Sequence, residues 1–111
     1  MILTRKDVVA INATFHDGKI VNESSLSFAL GYARKTTNWH KALAFITRAI
    51  LIDHVFEDGN KRTSAAIILT ECYHQGFHVN KTRLAKLIEH ALKKNVHDIR
   101  TLEEMIKDVI E

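Results

Sequence analysis

The residues best suited to chemistry lie in one stretch, residues 54–64, which reads HVFEDGNKRTS. Histidine is the side chain whose natural pKa best suits proton transfer near neutral pH. No other segment of the chain places a base, a carboxylate, a glycine and two cations within so few residues. The residues concerned are His54, Asp58, Gly59, Lys61 and Arg62.

A glycine-containing loop that opens a helix predicts an anion site, because the first N–H groups of a helix have no intrahelical acceptor. Gly59 lets the backbone approach a bulky anion, and the amides from Gly59 to Lys61 are predicted to form a nest. Lys61 and Arg62 oppose the helix dipole, which suggests that an anion is bound there. Asp58 is placed to hold a magnesium ion on phosphate oxygens, and His54 to act as a general base. Together these are the parts of a phosphate-transfer site.

Each of these residues also has a purely structural interpretation. His54 would serve as a C-terminal cap, and Asp58 would be the N-cap of the following helix. Lys61 and Arg62 would form a solvated first turn. Taken one at a time, the residues favour the structural interpretation; taken together, they leave a functional anion site as an equal alternative.

The segments on either side of this stretch are predicted to be buried helices that hold it in place. A strongly apolar helix from Trp39 is expected to end at His54, and a second one is expected over Asn60–His74. Phe56, between them, is expected to point into the core. The chain has no proline and only four glycines, which favours an all-helical bundle.

The rest of the chain predicts the same all-α class, in a single domain over residues 1–111 with about six helices. Residues 15–22 are predicted to form a short flap, because Asp17-Gly18 is a hairpin signal; a plain connecting loop is the alternative. Four other helices are predicted. The first begins at Thr4, with Asp7 in a capping box, and the second begins at Asn22 or Ser24. The third covers Lys81–Lys94 and is capped by Asn80, and the last runs from a Thr101/Glu104 capping box to Ile110.

Composition points to a soluble, cytoplasmic protein with no membrane association. One cysteine, Cys72, excludes an internal disulfide and is expected to be core filler. The charged start, Met1–Lys6, does not predict a signal peptide, and the apolar run near Ala49–Ile52 is too short to span a bilayer.

The formal net charge of +3 is compatible with anionic ligands such as nucleotides. A second group of cations lies in the predicted helix over Lys81–Lys94. A solvated helix face is the usual meaning of such residues, so we do not expect nucleic acid as a partner. The group comprises Lys81, Arg83, Lys86, Lys93 and Lys94.

The stretch from His54 to Ser64 resembles the signature of the Fic/Doc family, His-Pro-Phe-x-(Asp/Glu)-Gly-Asn-Gly-Arg-x-x-Arg, at eight neighbouring positions. It is most similar to the Doc (death-on-curing) branch, in which Asn-Lys-Arg-Thr stands in that place. The resemblance covers nearly the whole chain, weakens after about Lys94, and implies the helical Fic/Doc fold.

The resemblance implies a role for each matching residue. His54 corresponds to the catalytic histidine that takes a proton from a hydroxyl of a target protein. Asp58 corresponds to the acidic residue that positions magnesium on the nucleotide. Gly59 and Asn60 correspond to the anion-binding turn, and Arg62 to the arginine that holds a phosphate.

Three positions depart from the signature: Val55 replaces proline, Lys61 replaces the second glycine and Ala65 replaces the second arginine. A lysine in place of glycine would crowd the cradle and change how the nucleotide lies. Doc-like members share this pattern and are similar to kinases, which favours transfer of the terminal phosphate of ATP, with Lys61 and Arg62 neutralising charge. The alternatives are Fic-type AMP transfer and, because of Ala65, a non-catalytic helical module that binds an antitoxin or DNA.

The resemblance also implies partners and cofactors. The expected protein is a translation-inhibiting toxin of a toxin–antitoxin pair, with ATP as substrate, Mg²⁺ as cofactor, and elongation factor Tu as the expected target. The chain has no inhibitory Ser/Thr-x-x-x-Glu-(Gly/Asn) string, so inhibition is expected from a separate antitoxin. Lys19–Asn22 are expected to hold a target segment by strand addition. Self-association into a homo-oligomer is left open.

Overall fold

Six α-helices and one π-helical turn form the fold over residues 3–111, the part of the chain that this computed structural model describes. The predicted all-α class and the count of about six helices are confirmed. Met1 and Ile2, which belong to the expected domain and to the charged start, lie outside the described residues. The elements are α1 (Arg5–Phe15), α2 (Glu23–Lys35), α3 (Trp39–Thr47), the π-helical turn (Arg48–Ile52), α4 (Asn60–His74), α5 (Lys81–Lys93) and α6 (Ile99–Val109).

Five of these helices begin on a side chain that accepts a hydrogen bond from their first turn. The predicted Thr4/Asp7 capping box is present at α1. The box predicted from Thr101 to Glu104 is wrong, because α6 begins earlier and the carboxylate of Asp98 accepts the N–H of Thr101 at 2.8 Å. The five N-caps are Thr4, Asn22, Asn38, Asn80 and Asp98.

The centre of the fold is α3, in which every residue from Ala42 to Thr47 is buried. It packs against α2 and α6, while α1 packs against α4. The apolar helix predicted to run from Trp39 to His54 is interrupted. After Thr47 it widens into the π-helical turn, where the N–H of Asp53 donates to the carbonyl of Arg48, five residues back, at 3.0 Å.

Residues 16–22 form an extended connection rather than a hairpin. Ile20 makes an isolated antiparallel bridge with Phe56, so the segment pairs with the loop after the π-helical turn instead of with itself. Gly18 has a positive φ of 74°, and its N–H donates to the side chain of Asn12 at 2.9 Å. Because the side chain of Asn12 accepts the N–H of Gly18, this N–H is satisfied without a hydrogen bond to a partner strand.

Cys72 lies fully buried in α4, which confirms its prediction as core filler. Burial, together with the nearby carboxylate of Glu71, raises the pKa of its thiol to about 11. Across the described residues, none of the helices has both the length and the apolar character needed to cross a membrane.

Candidate functional site

An open cleft of about 580 Å³ lies between the end of α1, the loop after the π-helical turn, the start of α4 and the side of α5. All the residues predicted for the site border it. They are His54, Asp58, Gly59, Asn60, Lys61 and Arg62. The remaining walls come from Phe15, His16, Leu51, Glu57 and Leu92.

His54 lies two residues beyond the last π-helical residue, Ile52, and is not a helix end. Its backbone has a positive φ of 53°, a conformation that is uncommon for any residue except glycine. The side chain is exposed, and no hydrogen bond to its imidazole is present within residues 3–111. The next two residues, Val55 and Phe56, are both buried, as predicted for Phe56. The burial of Val55 and Phe56 therefore fixes the backbone that follows His54, and this keeps the free imidazole of His54 at the cleft.

Backbone pairing with the extended connection fixes the rest of the loop. The carbonyl of Val55 accepts the N–H groups of Val21 and Asn22 at 2.8 and 3.1 Å. The N–H of Glu57 donates to the carbonyl of Lys19 at 3.0 Å. Residues 19–22 thus form the back of the loop, and their position is coupled to that of His54.

The side chain of Asn60 closes the loop. Its Oδ1 accepts the N–H of Phe56 at 3.1 Å, and its Nδ2 donates to the carbonyl of the same residue at 2.9 Å. The carboxamide is therefore held in place by the backbone of Phe56, and the main-chain N–H of Asn60 has no acceptor within residues 3–111.

Asn12, in α1, is a further residue of the site that the sequence analysis missed. It is fully buried, and its Nδ2 donates to the carbonyl of Asp58 at 2.9 Å and to Oγ1 of Thr63 at 3.0 Å. Its Oδ1 accepts the N–H of Gly18 at 2.9 Å. One buried amide therefore joins α1, the extended connection, the loop and α4. The signal in the sequence was a polar residue one helical turn after Val8, on the buried face of α1.

Among the six helices of the described chain, α4 alone begins without a side-chain cap. Gly59 precedes it with a φ of 77°, and the first N–H accepted within the helix is that of Thr63, by the carbonyl of Gly59 at 2.9 Å. Within residues 3–111 the N–H groups of Asn60, Lys61 and Arg62 have no acceptor, which is the arrangement that binds anions at helix N-termini. The predicted nest is shifted by one residue, because the N–H of Gly59 donates to Oδ1 of Asp58 at 2.7 Å.

The two cations of the motif differ in what they contact. Lys61 reaches α5, where its Nζ lies 3.3 Å from Oε1 of Glu89. Both side chains are largely exposed, so this pair contributes little to stability. Arg62 is exposed at the cleft and makes no ion pair with any described residue.

Asp58 fits the predicted role of metal ligand. One of its oxygens accepts the N–H of Gly59, and the other makes no hydrogen bond with a described residue. Magnesium typically takes one or two carboxylates and completes its shell with phosphate oxygens and water. A single half-used carboxylate beside an anion site matches that requirement.

The described residues also bring three potential metal ligands within 4.8 Å of one another, and Asp58 is not among them. They are His16, Asp17 and Glu57, all exposed. Nε2 of His16 lies 3.7 Å from Asp17, and the carboxylate of Glu57 lies 3.4 Å from Nζ of Lys19. Each of the three side chains thus already has a partner within the protein.

Comparison with protein-family models and with curated proteins found no match to this chain. The geometry nevertheless defines what the cleft can do. It can hold an anion on the free amides of α4 and on Arg62, and it presents a histidine and a half-used carboxylate beside that anion.

Proposed function

We propose that this chain is a phosphotransferase of the Fic/Doc type, closest to the Doc toxins, that transfers the terminal phosphate of ATP to a protein hydroxyl. One observation carries the proposal: the unpaired base His54 and the uncapped N-terminus of α4 border the same cleft. The motif resemblance supplies the reaction class, and the free amides of α4 supply a place for the phosphates.

In this proposal the nucleotide phosphates lie on the N–H groups of Asn60, Lys61 and Arg62 and against the guanidinium of Arg62. Asp58 would hold Mg²⁺, which would neutralise charge on the nucleotide phosphates. Asn60 and Asn12 act on the shape of the loop, since their side chains bond to its backbone.

His54 takes the proton of the target hydroxyl as the hydroxyl oxygen forms a bond to the terminal phosphorus. The bond from that phosphorus to the bridging oxygen breaks, and ADP leaves with the electron pair. General-base assistance of this kind contributes roughly 10²–10⁴-fold to the rate. Precise placement of the phosphates supplies the rest, because phosphoryl transfer depends mainly on positioning and charge neutralisation.

The proposed target is a translation factor, elongation factor Tu, in the cytoplasm, and the proposed inhibitor is a separate antitoxin. The pairing of Ile20 with Phe56 supports docking of a target by strand addition. The two hydrogen bonds that flank this bridge come from Val21 and Glu57, so the N–H and C=O of Ile20 are not used by the loop. They remain for an added strand.

The test uses purified elongation factor Tu and ATP labelled at either the terminal or the first phosphate. Transfer of the terminal label, lost in His54→Ala and kept in His74→Ala, is the expected result; His74 is exposed, at the far end of α4. An active His54→Ala variant would exclude the assignment of the base. Failure of the folded protein to bind any nucleotide would favour the non-catalytic module that binds an antitoxin or DNA.

AMP transfer is the second candidate, and one contact favours it. Lys61 was expected to crowd the nucleotide cradle, but its ammonium is directed to Glu89 of α5. The cradle is then more open than the motif implied. Label that reaches protein only from the first phosphate of ATP would establish this reaction in place of the kinase reaction.

A further inference from the structure

The net positive charge of this chain is concentrated in α5. Residues 81–94 contain five Lys or Arg against one Glu, a formal charge of +4, whereas the whole chain carries +3 and the remainder therefore −1. All five cations are exposed. The charge thus lies on one surface element and is not spread over the molecule.

Four of these five cations share one face of the helix with His90. At about 100° per residue, Arg83, Lys86, His90, Lys93 and Lys94 fall within an arc of about 100°, which borders the buried side of the helix. Lys94 keeps helical backbone angles as the C-cap residue, so it continues the same face. We call these five residues the α5 basic face; it is about 16 Å long at 1.5 Å per residue. The buried side consists of Leu84, Leu87, Ile88 and Ala91.

No acidic side chain forms an ion pair with the α5 basic face among the described residues. The one acid of the helix, Glu89, lies off the face and contacts Lys61. A groove of about 310 Å³ runs beside the face, between α5 and α6, and Asp108 is its single carboxylate. Arg83 donates there to the main-chain carbonyl of Asp108 at 3.3 Å. The positive charge is therefore left for an external anion.

The face is also poor in the groups that a protein partner would use. Large exposed apolar side chains of the described residues lie elsewhere, and none belongs to α5 or α6. Protein interfaces normally centre on buried aromatic or aliphatic residues, with charges at the rim. A row of cations without such a centre is complementary to a row of phosphates.

We propose that the α5 basic face binds the phosphodiester backbone of a nucleic acid, without regard to base sequence. The sequence alone did not favour this partner, because cations scattered over a helix are usually solvated. In the structure they lie together on one face without an ion-pair partner among the described residues, and this favours an external anionic partner. The proposal is independent of the phosphotransferase proposal, since of the residues of α5 only Leu92 borders the cleft.

The experiment measures binding of the whole chain to labelled nucleic acid by fluorescence anisotropy at several salt concentrations. The probes are a mixed-sequence DNA duplex and a single-stranded RNA, each about 20 nucleotides long, long enough to cover the face. The test variant is Lys86→Gln/Lys93→Gln/Lys94→Gln. The matched control is Lys6→Gln/Arg34→Gln/Lys35→Gln, which removes the same charge from exposed residues of α1 and α2.

We expect the test variant to bind at least about tenfold more weakly at about 50 mM salt, with a salt slope reduced by up to about 3 for the duplex. The control should stay within about threefold of the parent protein. Tighter binding of one probe than the other would identify the duplex or the single strand as the source of the phosphates. Thermal melting checks the fold of each variant, and Lys86→Gln/Lys94→Gln replaces the triple variant if that one is unfolded.

Three results would overturn the proposal. Equal weakening by the test and control variants would show that binding depends on the net charge of the chain and not on the α5 basic face. Absence of binding to either probe at low salt would exclude a nucleic-acid site. Competition by polyglutamate as effective as by unlabelled nucleic acid would point to an acidic protein partner instead.

Discussion

The side-chain amide of Asn12 donates a hydrogen bond of 2.9 Å to the main-chain carbonyl of Asp58, 46 positions further along the chain. The packing of α1 against α4 brings the two residues together. Because Asn12 is fully buried, its bonds within the protein replace those it would make to water. The shape of the loop before α4 therefore depends on a residue outside the motif.

Asn12→Ala is expected to damage both stability and anion binding. It leaves the carbonyl of Asp58, the hydroxyl of Thr63 and the N–H of Gly18 without their partner. We expect the free energy of unfolding to fall by about 3 kcal/mol. Affinity for inorganic phosphate should fall as well. Urea denaturation and calorimetric titration measure the two effects separately.

A matched variant separates the role of Asn12 in the loop from general destabilisation. Asn38→Ala removes the N-cap of α3 and a bond to Glu103, and Asn38 does not border the cleft. It should cost about 1 kcal/mol of stability and leave phosphate affinity unchanged. Unchanged phosphate affinity in Asn12→Ala would contradict the assigned role.

The glycines of the chain provide a graded test of the start of α4. Gly59 has a φ of 77°, and an added Cβ there would lie 3.1 Å from Nδ2 of Asn12. Gly76 has a φ of 89° but open space around it. Gly76→Ala should therefore cost about 1 kcal/mol for strain alone, and Gly59→Ala about 2–3 kcal/mol, because Asn12 must also move.

Gly31, inside α2 with an ordinary φ and open space around it, completes the series as the control. Gly31→Ala should raise the free energy of unfolding by about 0.5–1 kcal/mol through helix propensity. Thermal or urea unfolding of the three variants gives the ranking. Equal costs for Gly59→Ala and Gly76→Ala would show that the contact with Asn12 has no energetic role.

The two cations of the motif should respond differently to mutation. Arg62→Ala should weaken ATP binding by about tenfold, because a free guanidinium is lost from the anion site. Glu89→Gln should instead strengthen binding by about two- to threefold, since it releases Lys61 toward the phosphates. Isothermal titration measures both, with Arg34→Ala as an exposed control on α2. Weaker ATP binding by Glu89→Gln would mean that the ion pair holds Lys61 in its productive place.

The reactivity of the Cys72 thiol should report unfolding, and its ionisation should lower the stability of the folded protein at high pH. Burial raises the pKa of its thiol to about 11, so the thiol is neutral and inert in the folded protein at pH 8. The unfolded chain binds fewer protons above its ordinary thiol pKa of 9.0, so stability should fall as the pH rises from there toward about 11. Ellman's reagent should react only as the protein unfolds in urea. Fast labelling of the native protein would contradict this burial, and Cys72→Ala should remove the contribution of the thiol to the high-pH loss.

Much of the fold could be read from local signals. The bounds of α4, Asn60–His74, and the caps Asn22 and Asn80 agree with the sequence prediction. A cap needs only a side chain and the amide three residues later, so nearby residues suffice to predict it. The cleft residues could be named for the same reason: they are neighbours in one motif.

Several of the features that sequence reasoning missed depend on distant contacts. Asn12 looked like one polar residue of a helix until α4 was packed beside it. The Asp17-Gly18 hairpin was not formed, because Asn12 accepts the N–H of Gly18 and the segment pairs with Phe56. The contact of Lys61 with Glu89 likewise depends on how α4 and α5 lie together.

The π-helical turn at Arg48–Ile52 makes the cleft sensitive to chain length as well as to residue identity. Such a turn contains one residue more than the α-helical turn it replaces. Deleting Ala49 would therefore restore a regular α-helix and leave the chain that follows in about the same orientation, whereas one further residue added in helical conformation would rotate that chain by about 100°. Since residues 55–57 are paired with residues 19–22, that rotation cannot pass through the loop intact. A one-residue insertion would thus turn His54 away from the cleft while every residue of the motif remained in the sequence.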